Sequence, residues 1–300
     1  MFMIENIIGW MNSAHVFIPS AELSKAFIVF LIFSSIGWIC EVCYVGIFFE
    51  HKFVNRGFLF GPLCPVYGIG GILILLTPEK LQNPVWRLFI TGTVLCSLVE
   101  YAASFVLEQM FHLKLWDYSD RILKLRGHTI KLNINGRVCL KNSLLFGVMT
   151  VSVIKFIQPL IGRLFSYFSD IYLQTSAGIL GLAFAADIMF SVHRALDFSI
   201  YVARLKDFSE TLKERYHHEE WFQSNSLHEM LDSIGKKALI DKEKFSAAML
   251  EKIKWAESRH NASEAFVKRF PTLSSGIYKD SLALIKKRIA DRFAEKLRKN

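Results

Sequence analysis

Residues 37–71 read GWICEVCYVGIFFEHKFVNRGFLFGPLCPVYGIGG, from Gly37 to Gly71. An apolar, helix-forming run carries Glu41 in its middle and breaks at Glu50-His51-Lys52. The chain then returns to apolar sequence through a segment in which Gly57, Gly61, Pro62, Pro65, Gly68, Gly70 and Gly71 fall within fifteen residues. So many helix breakers exclude an uninterrupted helix. A carboxylate inside an apolar run is costly, so such groups face a bundle interior or a polar cavity. Non-helical backbone at membrane depth persists only where it is buried in protein or lines water. The stretch therefore reads as the wall of an intramembrane polar site.

The composition agrees. The 300 residues are 52% hydrophobic and 14% aromatic, with a mean hydropathy of +0.30, too apolar for a soluble domain of this length. The net charge of +9 is uneven: residues 1–200 hold 15 Lys/Arg and 12 Asp/Glu, residues 201–300 hold 21 and 15. Three parts follow: an interfacial N-terminal segment, 1–24, anchored by Trp10 and without the marks of a signal peptide; a transmembrane domain, 25–200; and a basic helical tail, 201–300. Four of the five cysteines lie in apolar runs. Cys40 and Cys43 have redox spacing without the strand context of a thioredoxin, and read as small buried side chains.

A spanning helix needs about 20 mostly apolar residues. Five segments qualify, at about Lys25–Phe49, Leu63–Thr77, Trp86–Phe111, Ser143–Phe168 and Ile171–Leu196. The second is short and needs the Gly/Pro segment before it to complete a crossing. The sequence thus predicts an all-α, polytopic transmembrane bundle of about five spans with a helical cytoplasmic tail. Lys/Arg asymmetry orients it. The link between spans three and four carries Lys114, Arg121, Lys124, Arg126, Lys131, Arg137 and Lys141, and the link between one and two carries Lys52 and Arg56. With the basic tail, these lie on one side, so the N-terminus is outside and the C-terminus cytoplasmic. In the tail, Ile277, Leu282, Leu284, Ile285, Ile289, Phe293 and Leu297 recur at helical spacing after the break at Pro271 and Gly276. Its basic surface suits anionic lipid or a protein partner.

Polar residues form stripes on these spans. Ser34, Trp38 and Glu41 share one face; so do Glu100, Ser104 and Glu108; so do Asp187, Ser191 and Arg194, with Asp197 near them. Each stripe can face the Gly/Pro segment, and Lys155, one turn before Pro159, could neutralise a carboxylate. In the third link, Asp117 could cap a turn or pair with Arg137. The candidate substrate-binding residues are Glu41, Arg56, Glu100, Asp187, Trp38 and Asn55. Arg56, beside Gly57, can grip a phosphate or carboxylate with two prongs. No nucleotide loop, HExxH, G-x-S-x-G or zinc spacing occurs. His217-His218-Glu219-Glu220 points apart on a helix, so no metal and no cofactor is expected. Tail charge alone makes no nucleic-acid site.

Gly37-Trp38 with Glu41, then Asn55-Arg56-Gly57-Phe58-Leu59, Gly61-Pro62, Pro65, Tyr67-Gly68 and Gly70 resemble the bacterial membrane-protein family labelled putative ABC-transporter type IV, or CmpB-like permease. Glu100-Tyr101, Leu107-Glu108, Trp116-Asp117-Tyr118-Ser119-Asp120 and Asn135-Gly136-Arg137-Val138-Cys139-Leu140 extend the resemblance in the same order, over roughly residues 25–200. The segment between Asp120 and Asn133 is longer and more basic than the family's short link. The label implies a permease-like component working with a separate ATPase subunit in the lipid bilayer. Two alternatives stay open: an intramembrane enzyme acting on a lipid or lipid-linked substrate, with Glu41 or Glu100 as general base, and a non-catalytic scaffold or sensor.

Overall fold

The computed structural model describes residues 20–45, 55–125, 128–220, 229–230, 233, 251, 255 and 260–299. Most of the expected N-terminal interfacial segment, with Trp10, lies outside them, as do Lys52 and Arg126.

The described chain is mainly helical. Helix α1 is Ala21–Val45, α2 Pro65–Leu75, α3 the single turn Glu79–Gln82, and α4 Val85–Phe111. Helices α5 (Leu140–Ser152) and α6 (Gln158–Ser166) are joined by a π-helical turn, Val153–Ile157. Helix α7 is Asp170–Tyr216, α8 His260–Arg269 and α9 Lys279–Lys299. Helix α1, α4, the joined α5–α6 and α7 are each long and apolar enough to cross a membrane. With eleven residues, α2 is about 16 Å long, short of the roughly 30 Å hydrocarbon core. It lies within the short second segment that the sequence predicts at about Leu63–Thr77.

Local chemistry sets the ends. The Leu23 N–H donates to Ser20 Oγ (3.2 Å), an N-cap for α1. Pro65 opens α2, where its missing N–H costs nothing. Pro159 cannot donate to the carbonyl four residues back and its ring crowds that carbonyl, and the π turn immediately before it takes up the mismatch.

Two differences from expectation concern α7 and the third link. Helix α7 does not stop near Leu196 but runs unbroken to Tyr216, so the boundary expected at residue 200 falls inside it. The reason is a second apolar stripe, Ala195, Phe198, Val202, Leu205, Phe208 and Leu212, all buried. The third link holds two antiparallel ribbons, β1 (Ile122–Leu125) with β2 (His128–Lys131), and β3 (Asn133–Ile134) with β4 (Val138–Cys139). The long basic insertion is thus a hairpin.

The chain divides into two compact units. One comprises residues 1–53, 57–99 and 143–190; the other comprises 54–56, 100–142 and 191–300. In the first, Val29, Phe33 and Ile161 form one buried cluster and Ile74, Leu88 and Ile154 another. Water drives little between helices in lipid, so close approach at small residues matters more. Gly92 on α4 faces Thr150 on α5, Gly147 on α5 faces Thr93 and Phe89 on α4, and the Ser97 and Ser143 hydroxyls meet at 2.7 Å.

In the second unit, Phe266 of α8 stacks on Phe198 with ring centroids 4.3 Å apart. Of the periodic apolar positions of the tail, Leu282, Leu284 and Ile285 are buried, as the periodicity predicts, whereas Ile277 is exposed; Leu273, before the break, is buried as well.

Cys40 and Cys43, expected to be buried, are exposed on α1, whereas Cys64 and Cys139 are buried. The buried face of α1 follows Phe33, Ser34 and Gly37, which places the two cysteines on its flank.

Candidate functional site

In the first unit the site is built on the Gly/Pro segment and the helices beside it. Gly57 has φ +100°, a left-handed conformation that turns the chain, and a Cβ there would meet Cys64 Sγ at 2.7 Å and Trp38 Cδ1 at 3.8 Å. The Cys64 N–H donates to the Ser34 carbonyl (2.9 Å), tying the end of the segment to α1. The Tyr67 hydroxyl, on α2, donates to Glu41 Oε1 at 2.6 Å, a short charge-assisted bond across the two helices. That approach depends on Gly37, where a Cβ would lie 2.2 Å from Tyr67 Cγ. Tyr67 also stands edge-on to Phe146 of α5.

Asp187 reaches the segment itself. Its Oδ1 accepts from the Phe60 N–H (2.8 Å) and its Oδ2 from the Gly61 N–H (2.9 Å). Beside Tyr67 runs an apolar cleft of about 50 Å³ walled by Phe33, Ile36, Gly37, Phe146 and Val153. That is room for a water or two rather than for a substrate molecule.

In the second unit Glu100, 6% exposed, accepts from the Tyr118 hydroxyl (3.3 Å), and Tyr118 accepts from Asn142 Nδ2 (2.8 Å). Arg137 is 9% exposed and held from several sides. It pairs with Glu108, donates to Ser104 Oγ (3.4 Å) and lies over the Tyr101 and Phe105 rings at 5.5 and 5.4 Å. The Trp116 indole N–H donates to the Arg137 carbonyl (3.0 Å), and left-handed Asn135 and Gly136 (φ 54° and 70°) turn the chain before it. The stripe Glu100, Ser104, Glu108 thus receives Tyr118 and Arg137 of the third link. Arg137 pairs with Glu108 and not Asp117. Asp117 caps its own turn, accepting from the Ser119 N–H (2.9 Å) and hydroxyl (2.5 Å), and accepts from the Ser274 hydroxyl (2.6 Å).

The candidate residues therefore fall into two sets. Glu41, Trp38 and Asp187 belong to the first unit; Arg56, Asn55 and Glu100 belong to the second. Arg56 Nη1 lies 3.5 Å from the Arg269 carbonyl of the tail. Lys155 is exposed and donates to Asn83 Oδ1 (3.3 Å), with no carboxylate partner among the described residues. Reasoning from sequence missed the tyrosines: both Glu41 and Glu100 accept from one. Each stands in a family-like motif, Tyr67-Gly68 and Asp117-Tyr118, but a tyrosine near a span end reads equally as an interface anchor.

Burial alone would push the Asp117 carboxyl up. The hydrogen bonds from Ser119 and Ser274 and the nearby Lys114 charge outweigh it and hold the group below the usual carboxylate range.

Residues 28–192, more than half of the chain, match the family model described as putative ABC-transporter type IV. No curated protein and no solved structure matches the chain.

Proposed function

We propose that this chain, which belongs to the putative ABC-transporter type IV family, is the permease-like membrane component of a transporter driven by a separate ATPase subunit. The observation that carries this reading is the Glu41–Tyr67 pair. It joins the Glu41 carboxylate of α1 to the Tyr67 hydroxyl of α2, beside the non-helical segment that leads into α2. Ionisable groups in spanning helices mark solute or proton pathways by default, and Glu41 is a half-buried one. In this reading Glu41 and Trp38 line the path, and Asp187 shapes its wall. Within the other unit, Glu100, Asn55 and Arg56 are the polar lining. The cleft is too small for a solute as it stands, so transport requires the segment to move. The membrane domain spans 25–200 with the N-terminus outside. The basic tail, 201–300, is cytoplasmic and available to anionic lipid or a protein partner.

The test reconstitutes the full chain, purified from its native membrane with any subunit that hydrolyses ATP. ATP hydrolysis in proteoliposomes should depend on the chain. Glu41→Gln and Tyr67→Phe should each cut it at least ten-fold, with insertion and abundance unchanged. Hydrolysis that ignores both substitutions would remove the path reading. Loss of abundance in both would assign the pair to structure alone.

A further inference from the structure

Asp187 stands on a spanning helix between Ala186 and Ile188, with exposed Leu182, Met189 and Phe190 nearby on the same helix. A carboxylate in that setting needs compensation. Backbone supplies compensation: two consecutive N–H groups donate to it, Phe60 at 2.8 Å and Gly61 at 2.9 Å, one to each oxygen. The fit has two sequence requirements. A Cβ at residue 61 would lie 2.8 Å from Asp187 Oδ2, so any larger residue there shifts the carboxylate from its seat. Pro62 has no N–H, so the run of donors ends where the carboxylate ends. The need runs both ways, because non-helical backbone at membrane depth must have its donors met from within the protein.

We propose that Asp187 is a positioning residue, a latch that holds the Gly/Pro segment inserted. Releasing it frees the segment and opens the layer around Cys64. The inference rests on the geometry of the segment and not on transport, so the two can fail separately. An asparagine at 187 keeps the shape but offers one acceptor oxygen, and turns its NH₂ toward a backbone N–H.

Cys64 is a native reporter: it lies three residues beyond Gly61, is 7% exposed, and its N–H is bonded to α1. The experiment uses the full chain in native membranes with Cys64 as the sole cysteine (Cys40→Ala, Cys43→Ala, Cys96→Ala, Cys139→Ala) and a membrane-permeant maleimide. Asp187→Asn should raise the rate of Cys64 labelling at least ten-fold. Tyr67→Phe, which removes a different contact, the hydroxyl bonded to Glu41, should leave it slow. Gly61→Ala keeps the charge and displaces it from the other side, and should act like Asp187→Asn. It carries the test if Asp187→Asn fails to accumulate. Labelling at the unsubstituted rate in Asp187→Asn, or in Gly61→Ala where only that variant accumulates, would overturn the latch.

Discussion

The contact between Glu41 and Tyr67 is governed by a residue that touches neither polar atom. Gly37 lies one turn before Glu41, and a Cβ there would fall 2.2 to 2.6 Å from three atoms of Tyr67. Overpacking of this kind costs about 1–3 kcal/mol, and here it also pushes the phenol off its carboxylate. Gly178, exposed on α7, is the control, because a Cβ added there would meet nothing within 4 Å. Gly37→Ala should lower the melting temperature of the purified protein by several degrees. Gly178→Ala should be neutral or stabilise by up to about 1 kcal/mol, since alanine suits a helix better. Equal effects at both positions would show that Gly37 contributes helix flexibility rather than close approach. The polar side of these contacts was legible in the sequence, because a lone Glu41, Glu100 or Asp187 in an apolar run stands out. Their partners were not. Tyr67 is 26 residues from Glu41, and Asp187 bonds main-chain donors 126 and 127 residues away. Backbone donors leave no trace in residue type.

At the level of elements, the spans were legible because twenty apolar residues are a strong signal. The continuation of α7 and the ribbons of the third link were not. The first is hidden by a change of solvent at an unbroken helix, and the second by strands of two to four residues. Nor did sequence foretell that the tail docks on that link. Lys114 and Ser274 form an antiparallel bridge (N···O 2.9 and 3.0 Å), Ser274 donates to Asp117, and the Ser275 hydroxyl donates to the His112 carbonyl (2.8 Å). Lys286 Nζ donates to the Leu273 carbonyl (2.8 Å). Asp117 sits at the centre with its carboxyl below the usual range. A group lowered on folding adds stability that is complete above its unfolded value, about 3.9, and is lost as pH falls through the folded value. The docking should therefore hold at neutral pH and loosen below about pH 4. Hydrogen exchange at the Lys114 and Ser274 amides, corrected for intrinsic rate, should accelerate there. Asp117→Asn should exchange faster at neutral pH and lose the extra pH dependence. A variant that still loosens in acid as the parent does would place the titrating group elsewhere.

For the whole molecule the open question is the number of crossings, and one ion pair bears on it. Lys25 Nζ lies 3.0 Å from Asp170 Oδ1, so the first turns of α1 and α7 share a side. Counting α1, α4 and the joined α5–α6 alone would put three crossings between them and place those turns on opposite faces. If the chain from Asn55 through α2 also crosses, the number is even and the pair can form. The pair therefore predicts that the short helix and its non-helical lead-in act together as one full span. At the other end the Ser199 hydroxyl donates to the Phe111 carbonyl (2.6 Å), which sets the far part of α7 beside the end of α4; α5–α6 and α7 bring those two ends to one side with or without a crossing by α2. Lys/Arg asymmetry then chooses which side is cytoplasmic. Lys80, in the turn between α2 and α4, should be outside, and Arg121, in the third link, inside; both are exposed. In a cysteine-free background, Lys80→Cys in intact cells should react with a membrane-impermeant maleimide. Arg121→Cys should react only after the membrane is opened, and a reporter fused after Asn300 should be active only in the cytoplasm. Labelling of both positions from outside would mean that residues 85–111 do not cross. Labelling of Arg121→Cys alone would invert the orientation while leaving an even number of crossings between Lys25 and Asp170, because that pair sets the parity whichever face is cytoplasmic.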